Sequence, residues 1–194
     1  MGLLVEDLLL LARLDQQRPI ERSPVDLLAV AADGVHDAHA IAPDRRVELM
    51  TDQHAQLGPL VVMGDEARLR QVVANLMGNA LTHTPAGTPI ELRVRSSRRD
   101  GVPRAILEVV DHGPGLTQEQ AQRVFERFYR ADQARSHGAG TGLGLAIVAA
   151  LVAAHDGTVE VDTAPGRGAT FRVLLPLAPD TRGSTAEETV SATG

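Results

Sequence analysis

The sequence predicts an α+β fold, a mixed sheet with helices packed on one face. Three observations lead there. Segments of helical and of strand period are interspersed along the chain. The strand-like segments are joined by hairpins or by single helices of unequal length, which suits a two-layer arrangement. The 194 residues, 43% of them hydrophobic, suffice for one core with appendages.

Residues 3–15, LLVEDLLLLARLD, set leucines at helical intervals beside charges and predict a short amphipathic helix. After the break at Pro19, Ser23-Pro24-Val25-Asp26 reads as an N-cap, a proline at the first helical position and a first-turn acid. A helix is therefore expected through His39. VELMT (47–51) and PLVVM (59–63) read as short strands. Asp65 is placed to cap a long helix reaching His83, stopped by Pro85 and Gly87. ELRVRS (91–96) alternates and AILEVVD (105–111) is nearly continuously apolar; both predict strands. Thr117 with Gln120 forms a capping box for a helix through the Phe125 region, and residues 130–141 read as a mobile loop. LGLAIVAALVAAHDG (143–157) predicts a buried helix ended by Gly157. TVEVDT (158–163) and ATFRVLLPL (169–177) predict a hairpin around Pro165-Gly166-Arg167-Gly168. Residues 178–194 carry too little apolar surface to order themselves and predict a disordered tail.

Composition removes several functions. Cysteine is absent, so disulfides, thiolate metal sites and a thiol nucleophile are excluded. The 19 basic residues are all arginine, which removes the phosphate-binding lysine of P-loop ATPases and the strand lysine of protein kinases. A net charge of -6 argues against nucleic-acid binding. No apolar run approaches the roughly 18 residues of a membrane span, so the segment itself is expected to be soluble.

Three segments carry candidate chemistry. On the helix ending at His83, Leu69, Val72, Val73, Leu76 and Ala80 form an apolar stripe. Asn75 and Asn79 lie about 40° apart at its edge, and His83 continues their row. Amide oxygens are good ligands for hard cations, although asparagines on a helix surface are in themselves commonplace. The second segment is DHGPG, where Asp111 ends a strand and Gly113 and Gly115 permit a tight turn or the close approach of a ligand. The third, GAGTGLGLAIV, alternates Gly138, Gly140, Gly142 and Gly144 before an apolar helix, so that backbone N–H groups can converge on phosphate.

Taken in order, NLMGNALTHTP, DHGPG, FERFYR, GTGLGLAIV and GRGATF closely resemble the N, G1, F, G2 and terminal boxes of the histidine-kinase ATPase domain. The resemblance covers roughly residues 23–177. It implies a two-layer α/β sandwich of the GHKL (Bergerat) type and the cofactors ATP and Mg2+. Carried across by position, it gives Asn79 to magnesium and catalysis and places Asn75 beside the phosphates. Asp111 would read the adenine amine, with Gly113 and Gly115 shaping the base pocket. His83 stands where the family often has an aromatic near adenine. Gly140, Gly142, Leu143 and Gly144 would cradle the phosphates, Thr170 would support the adenine network through Asp111, and Arg130 would reach the triphosphate. Phe125, Phe128 and Tyr129, three of the four aromatics, read either as an anchor for the following loop or as a docking element, and the two are compatible.

The resemblance further implies residues 1–18 as the end of the second dimerisation helix, 19–177 as the ATP-binding catalytic domain, and 178–194 as tail. Partners would be the dimerisation and phosphoacceptor domain of the same kinase and a response regulator, with no membrane contact by this segment. The location implied is the cytoplasm, with a parent protein anchored in the bacterial inner membrane. Thr82 stands where many members carry a basic residue. The phosphoacceptor box is also missing: His36-Asp37 imitates its opening, but Pro43 follows at the wrong spacing, and His36 and His39 fit a solvated helix face. The histidine that takes the phosphate is thus expected on another segment. Rival readings are another GHKL ATPase, of the gyrase, mismatch-repair, chaperone or anti-sigma kinase type, and a nucleotide-binding module that transfers nothing.

Overall fold

The computed structural model describes residues 2–15, 21–51, 60–99, 101–131 and 141–178. The expectations for a loop across 132–140 and for a disordered tail lie outside the described residues. Within them the chain runs α1 (Gly2–Asp15), β1 (Ser23–Asp26), α2 (Leu27–Ile41), β2 (Val47–Thr51), β3 (Val61–Gly64), α3 (Glu66–His83), β4 (Ile90–Arg99) and β5 (Val102–Asp111). It continues through α4 (Gln118–Arg123), α5 (Gly144–Ala154), β6 (Thr158–Thr163) and β7 (Ala169–Pro176).

The principal sheet has the order β2-β4-β5-β7-β6. Its β2–β4 pair is parallel and the remaining pairs are antiparallel, giving the mixed sheet the sequence predicts. Strand alternation divides the residues between two faces. Ile90, Leu92, Val94, Leu107, Val109, Phe171 and Val173 point into one core with the buried stripes of α2, α3 and α5. The opposite face carries a cross-strand row, Arg93, Glu108, Arg172 and Glu160, each opposite the next in register.

The start of α2 differs from expectation. Ser23–Asp26 is a strand, paired antiparallel with Val61–Gly64, and the helix begins at Leu27 with Asp26 as its N-cap. Val25 is 3% exposed, and the Leu27 amide donates to Leu60 O at 3.0 Å. Burial of Val25 and the ladder to β3 outweigh the local Ser-Pro signal, and a two-stranded ribbon tolerates Pro24. The capping oxygen is Asp26 Oδ1, accepting from the Leu28 amide at 2.9 Å.

The other signals act as read. Asp65 caps α3 by accepting from the Arg68 amide at 3.1 Å, and Thr117 with Gln120 makes the full capping box. The helix after that box is shorter than expected and stops at Arg123. Its chain then turns through Phe128, a non-glycine residue at φ 61°. Leu10 and Leu11 of α1 join the core, where α1 packs against α5. No helix among the described residues is long and apolar enough to cross a membrane.

Candidate nucleotide site

Asp111 closes β5 where the sheet meets the end of α3. It is 7% exposed, opposite Ala169 in register. Its Oδ1 accepts from the Gly113 amide at 2.8 Å and from the Ala169 amide at 3.3 Å. Both bonds end on one oxygen and leave Oδ2 to accept from a ligand donor. The turn that follows is held tightly against α3. A Cβ on Gly113 would lie 2.9 Å from Asp111 Oδ1 and 3.0 Å from His83 O, so any side chain there would push the turn off the helix. Gly115 has φ +67°, and a Cβ there would meet Ala164 O at 2.0 Å.

His83 is the last residue of α3, with its side chain exposed and its carbonyl against the Gly113 turn. Thr170 does not support Asp111. It lies next to Ala169 in a regular strand, so its side chain goes to the opposite face, and the bond to Asp111 comes from the Ala169 main chain. The donor is a backbone amide, which no residue type in the motif announces.

Asn75 and Asn79 are half-buried at the edge of the α3 stripe. Asn75 Nδ2 donates to Gly144 O at 3.3 Å, which brings the middle of α3 to the N-terminus of α5. Asn79 makes no side-chain hydrogen bond among the described residues, and its amide is available. Thr82 instead bonds back to its own helix, donating to Gly78 O at 2.7 Å.

The α5 N-terminus is built to leave donors open. Its N-cap is Leu143, which is fully buried and supplies no side-chain oxygen to the first-turn amides. Burial of that leucine fixes the helix start in the core beneath the site. Just before it, Gly142 has φ +69°, and a Cβ there would lie 2.9 Å from the Phe128 backbone. The Phe128 amide donates to Gly142 O at 2.9 Å. Gly138 and Gly140 lie outside the described residues.

The aromatic segment is anchored at Phe125 and exposed at Phe128. Phe125 packs edge-on against Phe171 of β7, with ring centroids 6.2 Å apart, and anchors the segment to the core. Arg123 stacks over Tyr129 at 4.6 Å. Phe128 is 59% exposed. Arg130 follows on the surface and has a partner of its own. The left-handed backbone at Phe128 had no sequence signal, since a phenylalanine does not favour that conformation, and its bond to Gly142 is made by the main chain.

Among the described residues no three His, Cys, Asp or Glu side chains converge as a metal cage. A metal here would be held by neutral amides and by the ligand itself. The site thus joins a half-bonded carboxylate, two amides on one helix edge and the uncapped start of a second helix.

The model of the histidine kinase-, DNA gyrase B- and HSP90-like ATPases matches residues 64–179, which span every one of these groups. The chain belongs to this family. It is 50% identical over 175 residues to the probable sensor histidine kinase TcrY of Mycobacterium tuberculosis, covering 90% of this chain and 35% of TcrY. It is 40% identical over 179 residues to the sensor histidine kinase TrcS of the same organism, covering 91% of this chain and 34% of TrcS. The chain therefore spans about a third of these relatives' length. Among solved structures it superposes on the mycobacterial sensor histidine kinase MprB with TM-score 0.67 and 33% identity, covering 81% of this chain and 99% of that one. Full-length ShkA in complex with AMPPNP gives TM-score 0.73 and 34% identity over 90% of this chain and 35% of that one. The mixed sheet backed by helices is the GHKL sandwich that the motif order implies.

Proposed function

We propose that this chain binds Mg-ATP and presents its γ-phosphate to a histidine on a dimerisation domain, from which the phosphate passes to a response regulator. The observation that carries the reading is the joining of Asn75 to Gly144, which sets the amide edge of α3 beside the open amides of α5. Asp111 Oδ2 accepts from the exocyclic amine of adenine, and His83 and the Gly113–Gly115 turn flank the base. The α5 amides, with Gly142 and Leu143 before them, receive phosphate oxygens at a helix N-terminus, and Gly140 and Arg130 complete the phosphate end. Asn79 supplies an amide oxygen to magnesium. The metal, when bound, neutralises charge on the phosphates. Phosphoryl transfer asks the protein for positioning and charge stabilisation more than for covalent chemistry, and these groups supply both.

Residues 1–18 are read as the end of a dimerisation helix. Val5, Leu8 and Leu9 of α1 are exposed while Leu10 and Leu11 are buried, as expected of a helix with apolar contacts on two sides. Residues 19–177 form the catalytic domain, acting in the cytoplasm of a kinase anchored in the inner membrane. The test incubates the chain with labelled Mg-ATP, alone and with a separate phosphoacceptor domain. The expected result is nucleotide binding, no acid-labile phosphate on the chain, and label on the added domain. Label that appears on the chain alone and is lost in His36→Ala would overturn the assignment. Binding without label on either protein would instead favour a module that does not transfer phosphate.

A further inference from the structure

Among the described residues two buried ionisable side chains lie outside the site: Glu108, which is held by Arg95 and Arg172, and His155. His155, just past the end of α5, is 3% exposed and has both ring nitrogens engaged. Nε2 accepts from the Asp65 amide at 3.1 Å, and Nδ1 lies 2.7 Å from Leu151 O. A backbone amide can only donate, so Nε2 is the bare nitrogen and Nδ1 carries the proton given to Leu151 O. The surroundings are shaped to admit the ring. A Cβ on Gly64 would lie 2.5 Å from His155 Cδ2 and 2.8 Å from Nε2. Asp65, whose amide the ring holds, is the N-cap of α3.

Two polar ties therefore join α3 to α5. One is His155 to Asp65; the other is Asn75 to Gly144. Their order shows that α5 runs antiparallel to the first half of α3. The two ties are about 15 Å apart, by the rise of either helix between them. The two helices also pack together through the core, which holds Leu69, Val72 and Leu76 of α3 and Ile147, Val148 and Leu151 of α5.

We propose that His155 is a positioning residue for the nucleotide site. By holding the start of α3 it fixes the register of α5 along α3, and so sets the α5 N-terminus against Asn75 and Asn79. The inference rests on the reading of that site as one for Mg-ATP. The ring suits the task because it is rigid, accepts at one nitrogen and donates at the other. Its own bonds are to Asp65 and Leu151, and it acts from the end of α5 opposite Gly144.

The test compares His155→Phe, which keeps volume without an acceptor, with His155→Gln, whose amide can both accept and donate. Mg-AMPPNP affinity is measured by calorimetry on the whole chain. Because the sequence has no cysteine, spin labels at Ala74→Cys and Ala153→Cys report the α3–α5 distance without background. The expected result is a folded His155→Phe chain with affinity down about tenfold and a shifted label distance. His155→Gln should restore both. Folded His155→Phe with affinity within about twofold of the parent would overturn the proposal, as would equal losses in the two variants, which would mark a packing role. Should His155→Phe fail to fold, Gly64→Ala, which displaces the ring but retains it, is judged by the same affinity and distance. No binding by the parent chain would refute the Mg-ATP reading itself, whereas binding by the parent with none of these effects refutes only the role of His155.

Discussion

Two buried carboxylates stand three residues apart on β5 and have opposite surroundings. Glu108, 4% exposed, lies mid-strand on the outer face and is held by two guanidiniums, Arg95 at 3.0 Å and Arg172 at 2.5 Å. Asp111, 7% exposed, lies at the strand end on the helix-covered face and has only neutral amides, both on one oxygen. Burying a carboxylate costs free energy unless it is paired. Glu108 meets that cost with its neighbours and has nothing left to offer a ligand. Asp111 is left half-satisfied, with Oδ2 carrying no bond, and a buried carboxylate with an open acceptor is a candidate binding group. The difference of three positions also decides the face, since strand alternation sends the two side chains to opposite sides of the sheet.

The comparison assigns no carboxylate to the metal, and this is where it is most exposed to failure. Asn79→Ala is expected to abolish the magnesium dependence of ATP binding and to slow transfer to a separate phosphoacceptor domain by about 100-fold, the scale of removing one stabiliser of transition-state charge. Titration with ATP in magnesium and in chelator checks the first effect, and single-turnover labelling the second. A magnesium effect intact in the variant would send the metal to another group, and the contrast between carboxylates and amides would break.

Asp111→Asn comes next. The amide oxygen of asparagine can keep both backbone bonds that now end on Oδ1, so the fold should persist with an unchanged melting temperature. The other terminus becomes an NH2 that cannot accept from the adenine amine. Affinity should fall more than tenfold, about 1.4 kcal/mol or more. Calorimetry that finds unchanged affinity would remove base recognition from this residue.

Glu108→Gln should do the reverse. It leaves Arg95 without its carboxylate partner and Arg172 with only the longer contact to Glu160 at 3.7 Å, but both arginines are about a third exposed, so water recovers part of the loss. A cost of about 1–2 kcal/mol in denaturant unfolding is expected, with nucleotide affinity unaltered. Weakened binding without lost stability would mean that the outer face communicates with the site.

How much of this was legible in the sequence follows from how local each cause is. Asp65 and the Thr117–Gln120 box set their helix starts with side chains bonding three residues away, so their type and spacing sufficed. Ser23-Pro24 carried an equally local signal and lost to a tertiary one, the pairing of Val25 with Val62 across the ribbon. At the site, Asn75, Asn79 and Asp111 were readable because their chemistry is in their side chains. The Ala169 amide, the left-handed Phe128 and the two bonds of His155 were not. Each depends on where the main chain passes rather than on which residue it carries there.

The smallest expected effect is in the acid limb of stability, and its sign follows from the surroundings of Glu108. Burial pushes its carboxyl up, but the hydrogen bonds from Arg95 and Arg172, with their charges, outweigh burial and hold it below the usual carboxylate range. A carboxyl lowered in the folded state contributes stability that is fully present above its unfolded value, near pH 4.3, and is lost as pH falls toward the folded value. Glu91 adds to the same limb: hydrogen bonding from Arg93 lowers its carboxyl most, burial opposes, and His112 assists. Replacing Glu108 by glutamine removes one such proton from the linkage. The slope of unfolding free energy below about pH 4.5 should then flatten, by at most about 1.4 kcal/mol per pH unit. Above pH 5 the parent and variant curves should run parallel, offset by the lost ion pairs. Denaturant melts across pH 3 to 6 measure both regions, and an acid limb of unchanged slope would show that Glu108 is not held low by its arginines. Its contrast with Asp111 would then rest on geometry alone.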